Sequence, residues 1–124
     1  MIYLHEPSTS KEEIKNVLEC IKNNQLAFGK YISLFENGIK KAIKLKYAIA
    51  CVNGTSALQV SLKLLNLKAN DEVIAPSLTF ISPINAIIYN NLKPIFMDSD
   101  NNFNIDQDKT IKFLNENTEQ KYDK

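Results

Sequence analysis

The chain has 124 residues, of which 44% are hydrophobic and 23% are charged, and its formal net charge is +1. That length suits one small domain, and the composition is that of a globular protein, which argues against disorder. The small net charge does not indicate binding to nucleic acid or to a membrane surface. All basic side chains are lysines, so the chain lacks the guanidinium groups that usually bind phosphates in bidentate fashion.

The first residues and the cysteines indicate the cellular compartment of the protein. Residues 1–7 lack the basic stretch and apolar core of a signal peptide, and no apolar run reaches the roughly 18 residues of a membrane span. The cytoplasm is therefore the predicted location. Cys20 and Cys51 lie in apolar runs without the spacing of a metal site, which favours buried free thiols; a disulfide between them is the alternative.

Two helices are predicted first. Ser10 and Glu13 have the Ser-x-x-Glu spacing of a capping box, and apolar residues at helical spacing follow, which predicts a helix over about 11–24. Gly29 indicates a turn before a second helix over about 30–44. Lysines crowd the end of this second helix, where the helix dipole favours positive charge.

The next segment, 47–52, is short and almost wholly apolar, as is typical of a strand covered on both faces in a parallel sheet. The polar turn Asn53-Gly54-Thr55-Ser56 ends it. A helix over about 56–66 follows. Because its apolar residues lie on more than one side, this helix is predicted to be well buried.

The alternation of strand and helix then repeats. Strands are predicted over 73–75 and 93–97, and helices over about 80–90 and from Asp106 to about 116. This order predicts an α/β fold with parallel strands and with helices on both faces of the sheet.

Domain organisation follows from the same order. Three parallel strands make a thin sheet, and the pattern stops where another strand would be due, so the chain is predicted to be a truncated part of a larger domain. We divide this single partial domain into three parts: an N-terminal arm with the first helix (1–30), a second helix followed by the βαβαβα part (31–116), and a polar, frayed tail (117–124).

The turn at 53–56 is a candidate anion-binding site because it lies where a buried strand meets the start of a helix. The first turn of a helix offers unpaired N–H groups and partial positive charge, Gly54 permits close approach, and Thr55 and Ser56 add hydroxyl donors. The more common role of such residues is to cap the helix, and that alternative stays open. The glycine spacings of dinucleotide and nucleoside-triphosphate loops are missing.

Phe80 lies at the next strand–helix junction, at the carboxyl end of a strand, where ligands of open α/β sheets gather. There it could stack on a flat ring, although a core aromatic is the more common role. Asp98 ends the third predicted strand on the same side and is by itself typical of a cap. His5 is the only histidine, which supports neither a metal site nor a catalytic triad.

Several segments keep an informative order and spacing. They are LAFGKY (26–31) with Phe35-Glu36, YAIACVNGTSAL (47–58), DEVIAPSLTF (71–80) and PIFMD (94–98). Together they resemble the N-terminal part of the DegT/DnrJ/EryC1/StrS family, aminotransferases that use pyridoxal 5'-phosphate and act on nucleotide-linked keto sugars. The resemblance implies the N-terminal part of the large domain of a fold-type I transferase. The opening Leu4-His5-Glu6-Pro7 is similar to a branch that acts on UDP-linked 4-keto sugars in bacillosamine- or legionaminic-type pathways.

The resemblance assigns residues to the cofactor. Gly54, Thr55 and Ser56 match the family segment that holds the phosphate of pyridoxal 5'-phosphate, and Phe80 matches the aromatic residue that stacks on its pyridine ring. Asn53 stands where the family usually has serine, a change that keeps the backbone donors. The family's Schiff-base lysine, and the aspartate that pairs with the pyridine nitrogen, lie beyond position 124, so no residue of this chain is assigned as catalytic.

The resemblance also implies a reaction and partners. An amino group would pass from a donor, glutamate in our prediction, to a nucleotide-linked keto sugar for cell-surface glycan synthesis, in a homodimer when the protein is complete. The family fold places strands from the missing half between the segment 47–52 and the other two strands. The alternative is a non-catalytic remnant or a binding module for a phosphate-bearing ligand; the turn disfavours a nucleotide-binding domain of another kind.

Overall fold

The structure, a computed structural model, describes residues 5–119. Two compact units make up the chain, Met1–Ala50 and Cys51–Lys124. The predicted division at residues 30 and 116 stays a prediction. In the predicted tail, Asn117 belongs to the last helix, and residues 120–124 lie outside the described part. None of the helices within residues 5–119 is long and apolar enough to cross a membrane.

Between residues 5 and 50, the first unit contains two helices, α1 (Lys11–Lys22) and α2 (Lys30–Ile43), and both were predicted. The capping box is confirmed: the Ser10 side chain accepts a hydrogen bond from the backbone N–H of Glu13, and the Glu13 carboxylate accepts one from Ser10. Between the two helices, the Tyr31 hydroxyl lies 3.0 Å from side-chain oxygens of both Asn16 and Glu19. Glu19 also pairs with the Lys30 ammonium.

The second unit alternates helices and strands. Its elements in chain order are α3 (Gly54–Leu64), β1 (Glu72–Pro76), α4 (Ile81–Tyr89), β2 (Lys93–Met97) and α5 (Gln107–Asn117). The two strands are parallel and in register from Glu72 opposite Lys93 to Pro76 opposite Met97. The strands at 73–75 and 93–97, the helix at 80–90 and the helix that begins at Asp106 are therefore confirmed.

A small apolar core lies in this unit. Ala75 of β1, Ile84 and Ile87 of α4, and Leu92 form one buried cluster, and Leu62 of α3 packs against it. The core brings α3 and α4 together on the sheet. The N-terminus of α4 thereby lies close to the carboxyl end of β1, the strand that precedes it.

The prediction of a strand over 47–52 is wrong for this chain. These residues form no strand, and Tyr47, Ile49 and Val52 are 71%, 83% and 87% exposed. A strand exists only when an adjacent strand takes up its N–H and C=O groups, and the sheet of the described residues contains only β1 and β2. One local bond remains here, from the Ala50 N–H to the Glu36 carboxylate at 2.9 Å.

Two burial predictions are also wrong. No residue of α3 is buried, and Leu58 and Leu64 are exposed, because the core covers only the side of the helix that faces β1 and α4. Cys20 is half-buried and Cys51 is exposed, and both are free thiols, so the disulfide alternative is not realised. Cys51 is exposed for the same reason as its neighbours, since its segment has no strand beside it.

Candidate anion-binding site

The N-terminus of α3 is formed by Asn53. Its backbone is extended, and its side-chain oxygen accepts a 2.8 Å hydrogen bond from the N–H of Ser56. The expectation that Thr55 or Ser56 caps this helix is therefore wrong, since the helix begins two residues earlier than predicted. Because Asn53 satisfies the N–H of Ser56, the N–H groups of Gly54 and Thr55 are left in the first turn without an intrahelical acceptor.

Thr55 is half-buried, and its hydroxyl oxygen lies 2.9 Å from the hydroxyl oxygen of Ser82. Ser82 is the second residue of α4, and Thr55 is the second residue of α3. The hydrogen bond therefore joins the first turns of two helices that are 27 residues apart in sequence. The two sets of first-turn N–H groups lie on the same side of the unit.

Phe80 immediately precedes α4 and is its N-cap residue, without a side-chain capping bond. Its side chain is 78% exposed, so it is not a core aromatic in this structure. An exposed ring beside a helix N-terminus has a free face on which a planar ligand can stack. The structure thus places Phe80 two residues from Ser82, the partner of Thr55.

The first turns of α3 and α4 contain no acidic side chain, in contrast to those of α1 and α5. A bound anion would therefore meet helix dipoles without a neighbouring carboxylate in either turn. No side-chain cluster of residues 5–119 has the composition to bind a metal ion. The first turns of α3 and α4, with the exposed ring of Phe80 before α4, are therefore a candidate anion-binding site.

Asp98 follows β2 and has a local partner. Its carboxylate lies 2.6 Å from the Lys109 ammonium and accepts a bond from the N–H of Ser99. The hydrogen bond from Lys109, followed by that from Ser99, holds the pKa of Asp98 below its ordinary value of 3.8, and the same contact raises the pKa of Lys109. Asp98 is therefore engaged in a link to α5.

Sequence comparison decides the family. Residues 7–121 match the DegT/DnrJ/EryC1/StrS aminotransferase family. The chain belongs to this family. One relative is the GDP-perosamine synthase of Escherichia coli O157:H7. It is 41% identical to this chain over 101 residues, which cover 81% of this chain and 28% of the relative. The chain thus spans somewhat more than a quarter of that protein's length.

Solved structures of this family share the fold. The Helicobacter pylori aminotransferase PseC, described as involved in the biosynthesis of pseudoaminic acid, is 31% identical with a TM-score of 0.80, over 92% of this chain and 31% of PseC. NtdA of Bacillus subtilis with its bound cofactor PMP (pyridoxamine phosphate) is 29% identical with a TM-score of 0.72, over 83% of this chain and 25% of NtdA. The predicted family, α/β fold class and pyridoxal-phosphate type of cofactor are confirmed.

The residues present fit that cofactor. The space around Gly54 is open, since a Cβ placed there would have no atom within 4 Å apart from its chain neighbours and the backbone of its own helix, so a ligand can approach its backbone. Ser82 was missed as a member of this region, and Asn53 was placed in the turn without its capping role. The preference for asparagine at N-caps could have revealed Asn53. No sequence signal pointed to Ser82, because its contact with Thr55 arises only when α3 packs on α4.

Proposed function

We propose that this chain is the phosphate- and ring-binding part of a pyridoxal-phosphate-dependent aminotransferase that acts on a nucleotide-linked keto sugar. The observation that carries the proposal is the 2.9 Å contact between Thr55 and Ser82. It holds the first turn of α3, with Gly54 and Thr55, beside the first turn of α4, which Phe80 precedes. A phosphate and a ring of one ligand could then be bound together.

The substrate class is supported by the names of relatives. GDP-perosamine synthases from three bacteria and a UDP-linked altrosamine transaminase of Helicobacter pylori match this chain. We propose a nucleotide-linked keto sugar as acceptor, glutamate as amino donor, and a role in cell-surface glycan synthesis in the cytoplasm. Both GDP- and UDP-linked sugars occur among these names, so the UDP branch predicted from Leu4-His5-Glu6-Pro7 stays a prediction. A homodimer of the complete protein is part of the proposal.

Each assigned residue would act by binding or orienting. The N–H groups of Gly54 and Thr55 would donate to phosphate oxygens, with the α3 dipole adding attraction, and the hydroxyls of Thr55 and Ser56 would donate further bonds. Phe80 would orient the ring and shield one face from water. When bound, pyridoxal phosphate supplies the carbonyl that carries the amino group and the ring that withdraws electrons from the reacting carbon.

We further propose that the chain alone does not catalyse amino transfer, because it lacks the family's lysine. Among the described lysines of the second unit, Lys63 lies in the last turn of α3, about 13 Å along the helix from Gly54 at 1.5 Å per residue. Lys109 is paired with Asp98. Lys93 is likewise paired, with Glu72, and the proposal assigns none of these three lysines to the cofactor.

The test uses the purified chain with pyridoxal phosphate, glutamate, and GDP- or UDP-linked 4-keto sugars. We expect no amino sugar by mass spectrometry. After borohydride reduction, we expect no single lysine to carry the cofactor mass stoichiometrically. A stoichiometric adduct on one lysine, together with product formation, would overturn the claim that this chain lacks the nucleophile.

The alternative function is a module for some other phosphate-bearing ligand. It is supported by the anion-binding geometry but leaves the exposed ring of Phe80 without a role. Calorimetric titration with pyridoxamine phosphate and with inorganic phosphate separates the two. The proposed function requires pyridoxamine phosphate to bind more tightly, because Phe80 adds stacking. Equal affinities for the two ligands would support the alternative and contradict a role for the ring.

A further inference from the structure

Ser82 has no assigned role in this family site, although it contacts the residue proposed to bind the phosphate. Its hydroxyl oxygen lies 2.9 Å from that of Thr55, and both side chains are half-buried. Both residues occupy the second position of their helices. The contact is therefore a link between two equivalent points of two helix N-termini.

A pair of hydroxyl groups has two hydrogens, and a hydrogen bond between them uses one. In the structure the Thr55 hydroxyl donates and the Ser82 oxygen accepts. Hydroxyl hydrogens rotate, so with an anion beside Thr55 the bond can reverse: Ser82 then donates to Thr55, and Thr55 donates to the anion. A donor whose oxygen accepts a neighbouring hydrogen bond is polarised, and a bond from it to an anionic oxygen is stronger. The pair of Thr55 and Ser82 therefore presents one donor, oriented by its hydrogen-bond partner, beside the first turn of α3.

The same contact bears on the distance between Phe80 and the first turn of α3. Phe80 lies two residues before Ser82, so the hydrogen bond from Thr55 to Ser82 constrains the distance between the backbone of Phe80 and the first turn of α3. Further along the two helices, the Asn90 side-chain amide donates a 3.0 Å bond to the Gln59 carbonyl. Because this second link and the apolar core remain when the Ser82 hydroxyl is removed, we expect the α3–α4 pair to keep its fold.

We propose that Ser82 is a positioning residue for the phosphate of the cofactor: it orients the Thr55 hydroxyl and holds the α3 turn at the correct distance from Phe80. This inference rests on the proposed function. It assigns to Ser82 an effect on phosphate recognition that acts through Thr55. Loss of the Ser82 hydroxyl should therefore weaken the recognition of phosphate and leave the recognition of the ring unchanged.

The test is a calorimetric double-mutant cycle on the full chain with Ser82→Ala, Thr55→Val and the double variant. Each protein is titrated with pyridoxamine phosphate and with pyridoxamine, which lacks the phosphate; neither reacts with lysines. We expect Ser82→Ala to weaken pyridoxamine phosphate binding about tenfold, the usual effect of losing a hydrogen bond to a charged group. Its affinity for pyridoxamine should not change. In the Thr55→Val background, Ser82→Ala should have no further effect.

Two further variants sharpen the test. Ser82→Thr keeps the hydroxyl and should restore affinity for pyridoxamine phosphate. Ser61→Ala is the matched control, since the Ser61 hydroxyl bonds only to the Ala57 carbonyl in its own helix, and it should bind like the unaltered chain. Two results would overturn this inference while leaving the proposed function standing. One is additive effects of Thr55→Val and Ser82→Ala on affinity; the other is an equal loss of affinity for pyridoxamine phosphate and pyridoxamine. An unaltered chain that binds no pyridoxamine phosphate would overturn the proposed function, and the inference with it.

Discussion

The side-chain oxygen of Asn53 accepts a 2.8 Å hydrogen bond from the N–H of Ser56 and caps α3. Replacing a capping asparagine by alanine costs about 1 kcal/mol. We therefore expect Asn53→Ala to lower the free energy of unfolding by about 1 kcal/mol, measured by urea unfolding at low protein concentration.

Two variants at the same position separate capping from anion binding. Asn53→Ser keeps a capping oxygen and should preserve both stability and affinity for pyridoxamine phosphate. Asn53→Asp also caps, but its charge would repel a phosphate at Gly54 and Thr55. It should keep stability and lose affinity. If Asn53→Asp bound pyridoxamine phosphate as tightly as Asn53→Ser does, the phosphate would not lie at this turn.

Acid should weaken the contact between Asp98 and Lys109. The pKa of Asp98 is below its ordinary value of 3.8 because Lys109 donates a hydrogen bond to its carboxylate. A carboxylate whose pKa is lowered in the folded state stabilises the fold at pH values above its ordinary pKa. This contribution is lost as the pH falls through the folded-state pKa. Lys109→Met should raise the pKa of Asp98, measured by the carboxyl carbon shift in NMR.

Lys112→Met is the matched control for that titration. Lys112 is on the same helix and pairs with Glu116 instead of Asp98, at 3.9 Å. It should leave the pKa of Asp98 unchanged. An equal rise in both variants would mean that the shift comes from the general field of α5 and not from the hydrogen bond.

Phe80→Ala should weaken binding of the ring without weakening the fold. The side chain is 78% exposed, so its removal deletes little packing. Stacking on an aromatic side chain contributes on the order of 1 kcal/mol. The affinities for pyridoxamine phosphate and pyridoxamine should therefore fall by similar factors, about fivefold, with an unchanged unfolding midpoint. A loss confined to the phosphorylated ligand would place Phe80 at the phosphate instead.

The chain on its own should associate with itself. The sheet of the described residues has two strands, each with an open edge, and Tyr47, Ile49 and Val52 expose apolar surface. Open edges and exposed apolar segments favour aggregation. Sedimentation velocity should show association that increases with concentration. A monodisperse sample with one sharp thermal transition would contradict this expectation.

Local patterns made most of the fold predictable. The capping box of Ser10 and Glu13, the apolar periodicity of α4 and the start of α5 at Asp106 each lie within a few residues, and all are confirmed. The prediction of a strand over 47–52 was wrong because a buried strand forms only when an adjacent strand takes up its backbone hydrogen bonds. Its sequence has the strand pattern, but the described residues provide no adjacent strand.

The site was predictable only in part. Gly54, Thr55, Ser56 and Phe80 could be named because they lie at junctions between a strand-like segment and a helix, and because these segments resemble the family. Their assignment to the cofactor stays a prediction. Ser82 could not be named, since its contact with Thr55 spans 27 residues and depends on how two helices pack.

Gly54→Ala tests the central claim most directly. Apart from its chain neighbours and the backbone of its own helix, a Cβ at this position would meet no atom within 4 Å, so the fold should tolerate it and the unfolding midpoint should not fall. The added methyl group would occupy the space through which a phosphate reaches the N–H groups of the first turn of α3. In calorimetric titrations, we predict saturable binding of pyridoxamine phosphate by the unaltered chain and at least about tenfold weaker binding by Gly54→Ala. Equal affinity in the two proteins would contradict a cofactor-phosphate site at this turn.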